Sequence, residues 1–181
     1  MRSFWVASLL LLTLLRQLPA RTYHEVTELD AVFDRYGVTG TFVLFAPSRD
    51  RMEISNRLRA QQRFARPPLF QVSAIDGSRT LSAIGQTEFL ARLLAPKAGQ
   101  QEESVRALRN VTLFEKTGRY ELHAKAGVLP GAPRKIGWWA GWLERDGKFY
   151  PFALNIDMLK EDDAAKQILV GRECLKALGV L

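Results

Sequence analysis

The chain has 181 residues, of which 47% are hydrophobic and 25% charged, ordinary composition for one globular domain with a real core. Its formal charge of +7 is spread among acids, as in Arg49-Asp50-Arg51, Arg145-Asp146 and Lys160-Glu161, and the lack of a basic stripe argues against a nucleic-acid binder. A single cysteine, Cys174, excludes an internal disulfide and reads as a small buried helix residue.

Residues 1–20 hold Arg2, an apolar run from Phe4 to Leu15, and Leu18-Pro19-Ala20. This is the pattern of a signal peptide, with a run too short to span a bilayer. A buried N-terminal helix or an uncleaved anchor is the competing reading. Residues 21–181 are therefore expected to work outside the cytoplasm, in the periplasm, with no stable membrane span after cleavage. His24 then falls in a flexible mature N-terminus.

From Glu25 to Tyr36, Val26, Leu29, Phe33 and Tyr36 are spaced for one helical face, and Gly37 stops the helix. Residues 41–45 and 52–55 read as a hairpin closed by a turn-like APSRDR segment. Residues 56–80 lose periodicity and carry Pro67-Pro68 and Asp76-Gly77-Ser78, which are loop signals. Helical spacing returns over 81–94 and 102–108.

Three strands are expected at 119–125, 136–144 and 148–156, the last two joined by Asp146-Gly147, a strong type I′ turn signal. Pro151 stands against the third, since a central strand needs its N–H. Ala164, Ile168, Gly171, Leu175 and Leu178 line one face of a terminal helix behind Asp162 and Asp163 as caps. The element order predicts an α+β fold, an antiparallel sheet of about five strands with the two terminal helices on one face.

Residues 137–158, GWWAGWLERDGKFYPFALNIDM, with RYELHAKAG before them, SAIGQTEFLARLL at 82–94, the stretch 33–64 and the closing LKALGVL, resemble the class D serine β-lactamases and related penicillin-sensing domains. The resemblance implies a β-lactamase/transpeptidase-like fold, hydrolysis of β-lactams by serine acylation, and no cofactor. In that family a Lys-Thr-Gly box ends the strand before the tryptophan hairpin. Its counterpart here is Lys125-Ala126-Gly127, and Lys116-Thr117-Gly118 is turn chemistry.

After a stretch like RAQQRF the family places Ser-Thr-Phe-Lys and most of a helical domain. Here Phe64 runs into ARPPLFQVSAIDGSRTLSA. The resemblance thus implies an internal deletion of roughly a third of a family-length chain, and no catalytic residue is identifiable. Ser73 and Ser78 read as loop residues and Ser82 as the cap of the following helix.

The expected remnant of a substrate site is Lys125, Ala126, Gly127 and Val128. Lys125 offers a cation to a ligand carboxylate, and the Val128 N–H offers half an oxyanion hole. Lys166 lies beside Gln167, which takes the place of the family's carboxylate-holding arginine. Trp138, Trp139 and Trp142 read as sheet packing. His24 and His123 have no second ligand at metal spacing, so no metal site is expected.

The domain layout is then a signal peptide (1–20), an N-terminal helix and hairpin (21–64), a junction loop (65–80), residual helices (81–110), and a meander with its C-terminal helix (111–181). Expected partners are a β-lactam or peptidoglycan-like ligand. A homodimer or protein partner could dock on the apolar face left by the deletion.

Overall fold

Leu29, Val32 and Phe33 line the buried face of α1 (Glu28–Tyr36), with Val26 and Tyr36 packing alongside. Gly37 ends it in the left-handed region at φ 60°, its N–H returning to the Asp34 carbonyl, as the sequence led us to expect. The computed structural model describes residues 22–65, 80–95, 100–128 and 135–181. The expected signal peptide, the serines Ser73 and Ser78 and most of the junction lie outside the described residues.

The hairpin expected after α1 is β2 (Gly40–Ala46) and β3 (Arg51–Ile54). A short helix α2 (Arg57–Gln61) follows, capped by the Asn56 side chain, which accepts the Arg59 N–H at 3.1 Å. The strands β4 (Phe64–Ala65) and β5 (Thr80–Leu81) then pair across the junction. The region 56–80, expected to be loop, is therefore ordered at both ends.

Ser82 caps α3 (Ala83–Leu94) by accepting the Gly85 N–H at 3.0 Å, and α4 spans Gln100–Thr112. Then come β6 (Leu113–Lys116), β7 (Glu121–Val128), β8 (Ile136–Arg145), β9 (Lys148–Asp157) and α5 (Asp163–Ala177). Asp146 and Gly147 close β8 onto β9 with φ of 53° and 69°, both positive as a type I′ turn requires. Thr117 and Gly118 lie in the turn between β6 and β7, where the Thr117 hydroxyl accepts the Arg119 and Tyr120 N–H groups.

The sheet is mixed rather than purely antiparallel and has seven strands, in the order β1-β3-β2-β9-β8-β7-β6. β1 (Thr22–Glu25) runs parallel to β3, and every other pair is antiparallel. The five central strands are those expected, and the added ones, β1 and β6, are its two edges. Both are four residues long and mostly exposed, so they carry no alternating apolar pattern to read.

His24 consequently sits in a strand, not a flexible terminus. Its Nδ1 is 2.7 Å from Glu53, its register partner on β3, which is buried and also accepts from Arg49 at 3.0 Å and Arg51 at 2.8 Å.

Pro151 is accommodated because the β2–β9 ladder ends at Leu44↔Phe152, one residue before it. On that side no strand hydrogen bond is lost. Helices pack on both faces of the central strands. α1 and α5 cover one face over Phe42, Trp139, Phe152 and Leu154. α3 covers the other over Val43, Ala140, Trp142 and Ala153. Cys174 is buried in α5, and burial pushes its thiol pKa up, so it is packing rather than chemistry.

Close approach of α5 to the sheet depends on Gly171. A Cβ there would lie 2.1 Å from the Trp139 ring, a clash with a fully buried indole. Gly171→Ala should cost about 1–3 kcal/mol in urea denaturation, with the m-value unchanged. Wild-type stability in that variant would show that α5 does not rest on Trp139.

Burial acts most strongly on Glu53 and raises its pKa, but hydrogen bonds from Arg51, His24 and Arg49 outweigh it and hold the carboxyl below its ordinary value. Its folded pKa lies below the unfolded one. The stability it contributes is therefore complete above the unfolded carboxylate range, about 4.3, and is lost as pH falls through the folded value. Glu53→Gln should lower the urea midpoint at pH 6 and flatten its decline toward pH 3. Parallel wild-type and variant curves would refute the assignment.

Candidate ligand site at the β7 edge

Residues directly opposite in the ladders share a face, so the register sorts the site residues. Lys125 pairs with Ala140, and Ala140 with Ala153, which pairs with Val43. Lys125 therefore ends the apolar row that α3 covers, exposed at the open side of the sheet. The neighbouring row on this face is Gly127, Trp138, Asn155 and Thr41, and it is more polar.

That polar row is fastened by Arg59 of α2. Its guanidinium donates to both Asp157 oxygens at 2.8 and 3.2 Å and to Asn155 Oδ1 at 3.1 Å. It also stacks 4.4 Å from the Phe64 ring centroid. Arg59 and Asp157 are both buried, a setting in which the attraction only just offsets desolvation unless the hydrogen bonding is complete. Trp138 Nε1 donates to the Ala65 carbonyl at 3.3 Å, which ties the junction strands to the site.

Ala126 and Val128 face the other way, toward α5. Val128 pairs with Gly137, and a Cβ on Gly137 would lie 2.8 Å from the Gln167 side chain. Gln167 is buried and donates to the Ala164 carbonyl at 3.2 Å. Lys166 is held by Asp163 at 2.7 Å and Asp162 at 3.6 Å. The hydrogen bond from Lys166 comes first in lowering the Asp163 pKa, followed by the Lys160 N–H. Lys125 and the pair Lys166–Gln167 are thus on opposite sides of the sheet, with Lys166 already engaged.

Backbone geometry adds a feature the sequence did not announce. β6 pairs with β7 only from Glu121 to His123, so among the described residues the outer edge of β7 from Ala124 to Val128 has no strand beside it. Such an edge accepts an extended amide chain by strand addition.

Ser48, Ser55 and Ser82 are otherwise occupied. Ser55 is buried and accepts the Phe42 N–H at 2.9 Å, and Ser82 is the α3 cap. Ser48 accepts from Lys148 at 3.0 Å, but it lies in the exposed turn between β2 and β3 and its partner is an exposed residue at the start of β9, so no enclosed site surrounds it.

Glu121, His123 and Glu144 present ligand atoms all within 4.8 Å of one another, so these three could hold a metal ion. Sequence spacing concealed the group because its members come together across β7 and β8, where Glu121 pairs with Glu144. Arg59, Asn155 and Asp157 were missed for a similar reason, since 96 and 98 positions separate the partners.

No family model matches the chain. It is 36% identical over 102 residues to the β-lactamase OXA-48 of Klebsiella pneumoniae, a match covering 56% of this chain and 38% of that relative. With β-lactamase OXA-10 of Pseudomonas aeruginosa it shares 26% over 110 residues, covering 59% of this chain and 41% of that one. The chain thus spans well under two thirds of the curated relatives it matches. Its fold superimposes on the crystal structure of FUS-1 (OXA-85), a class D β-lactamase from Fusobacterium nucleatum subsp. polymorphum. That comparison has a TM-score of 0.73 and 19% identity, covering 87% of this chain and 100% of the other.

Truncating Arg59 leaves the Asp157 carboxylate buried without its fork. Arg59→Ala should therefore cost about 3–5 kcal/mol, read as a lower urea midpoint. A cost under about 1 kcal/mol would mean that water replaces the guanidinium.

Proposed function

Because the chain has a class D β-lactamase-like fold, we propose that it belongs to that lineage, has lost serine acylation, and keeps a reversible site for a β-lactam or peptidoglycan-like peptide. One observation carries this reading. No Ser-x-x-Lys occurs anywhere in the 181 residues, although that pair supplies nucleophile and base in the family route. The sequence matches cover more than half of this chain but only 38–41% of the relatives, so the relatives are the longer chains, as the loss between Phe64 and Ser82 implied by the resemblance would require. The apolar run 4–15 behind Arg2 supports export to the periplasm.

The retained site would work by geometry alone. The open edge from Ala124 to Val128 supplies alternating amide donors and acceptors to an extended ligand, and Lys125 supplies the charge for its carboxylate. Ala126 offers no hydroxyl, and one missing hydrogen bond to a charged group is worth about 1.5–3 kcal/mol. Binding is accordingly weak and reversible.

The test takes purified chain shown by circular dichroism to be folded. Expected are no hydrolysis of a chromogenic cephalosporin, no covalent band with a fluorescent penicillin after denaturation, and a ligand-dependent rise in Tm that Lys125→Ala removes. Turnover lost on changing Ser73 or Ser78 would overturn the loss of catalysis. A Tm indifferent to ligand in the wild-type chain would overturn the binding site.

A further inference from the structure

At the sheet edge farthest from β7, one buried carboxylate gathers three basic side chains. Glu53 Oε1 accepts from Arg49 Nη1 at 3.0 Å and from Arg51 Nε at 2.8 Å, and Oε2 meets His24 Nδ1 at 2.7 Å. The two guanidinium groups share one oxygen, so they are close neighbours. The Glu53 side chain is 2% exposed, whereas those of Arg49, His24 and Arg51 are 64%, 51% and 31% exposed. The anion lies inside and the cations open outward.

The backbone fixes where these groups start. Arg51 and Glu53 lie on β3, His24 is the register partner of Glu53 on β1, and the Arg49 N–H closes the β2–β3 turn on the Ala46 carbonyl at 3.1 Å. Lys148 joins them from the start of β9, its ammonium 3.0 Å from the hydroxyl of Ser48, the residue before Arg49. The opposing charges are Glu53 and, in the turn, Asp50. Glu25 alternates to the other face of β1, where its carboxylate accepts the Arg57 N–H at 3.0 Å. Three permanent cations therefore stand against two carboxylates, with the imidazole beside them.

A guanidinium carries five N–H donors in a planar fork. Each arginine gives Glu53 a single nitrogen, and no other hydrogen bond or ion pair engages either side chain among the described residues. Arg51, the more covered of the two, has no buried unpaired nitrogen, so its Nη groups reach the surface. Two unspent forks beside an ammonium match an anion whose oxygens point in several directions. A second carboxylate offers two oxygens in one plane, a role that Glu53 already fills.

We propose that His24, Arg49, Arg51 and Lys148 form a binding site for a phosphate-type oxyanion, independent of the β7 edge. Glu53 is its positioning residue. It orders the arginines before the ligand arrives, which removes part of the entropy cost of gathering long side chains around an anion. A free phosphate and a phospholipid headgroup share this chemistry, and the test separates them.

The purified chain is titrated with sodium phosphate and with sodium sulfate by two-dimensional NMR, against sodium chloride at the same ionic strength. Expected is saturable movement of the His24, Arg49, Arg51 and Lys148 amide signals with phosphate and sulfate, and none with chloride. Arg49→Gln and Arg51→Gln should each weaken binding about three- to tenfold. Arg119→Gln, which removes an exposed cation from the β6–β7 turn, should leave it unchanged. Sedimentation with phosphatidylglycerol vesicles but not with phosphatidylcholine vesicles, weakened by the same two arginine variants, would identify a lipid headgroup. Saturation by inorganic phosphate without vesicle binding would identify a free anion. No response to either probe, a response that chloride reproduces, or one that Arg119→Gln removes equally would overturn the site.

Discussion

Everything in this fold depends on closing the β2–β9 ladder, five residue pairs from Gly40↔Ile156 to Leu44↔Phe152. On one side stand β1, β3 and β2, on the other β9 to β6, and the chain between them passes through the junction. Apolar burial on both faces drives the closure. Arg59 sets its register. A slip of one residue would turn Asn155 and Asp157 to the opposite face, leaving the guanidinium buried without a counter-ion, which costs several kcal/mol. The ion pair therefore specifies the register that the hydrophobic contacts stabilise.

The three tryptophans of β8 show how the two faces are shared. Trp139 lies over Gly171, Trp142 stacks on His123, and Trp138 reaches Ala65. Trp139 and Trp142 have indole N–H groups with no partner, each a cost of about 1–3 kcal/mol. Burying an indole removes roughly 150–250 Å² from water, worth about 4–6 kcal/mol. Burial wins, so a polar handle left idle is tolerated.

The central hairpins were legible because strong local signals coincide there, alternating or continuous apolar runs beside Asp146-Gly147 and a glycine-stopped helix at Gly37. The edges were not. β1 and β6 satisfy only one side of their backbones and are four residues long and mostly exposed, so no alternating apolar pattern distinguishes them from loop. Lys125 and its neighbours were readable from the resemblance of one continuous stretch. Arg59 was hidden in a segment whose arginines and prolines read as loop, and its worth exists only through Asp157. The grouping of Glu121, His123 and Glu144 likewise depends on the β7–β8 register, which no local spacing encodes.

The open stretch of β7 has a cause elsewhere in the fold. α4 ends at Thr112, held over the sheet by Arg109, which pairs with Glu144 and lies 5.4 Å from the Phe149 ring. β6 must begin at the next residue, is irregular between Leu113 and Glu115, and turns back at Thr117-Gly118. It has no length left to run beside Ala124–Val128. An exposed edge is an aggregation hazard, and Lys125 puts a charge in the middle of it. The same side chain that guards the edge against another strand is the cation a carboxylate-bearing ligand would meet there. Protection and recognition thus make the same demand on this position, and the packing of α4 determines that the demand falls on β7.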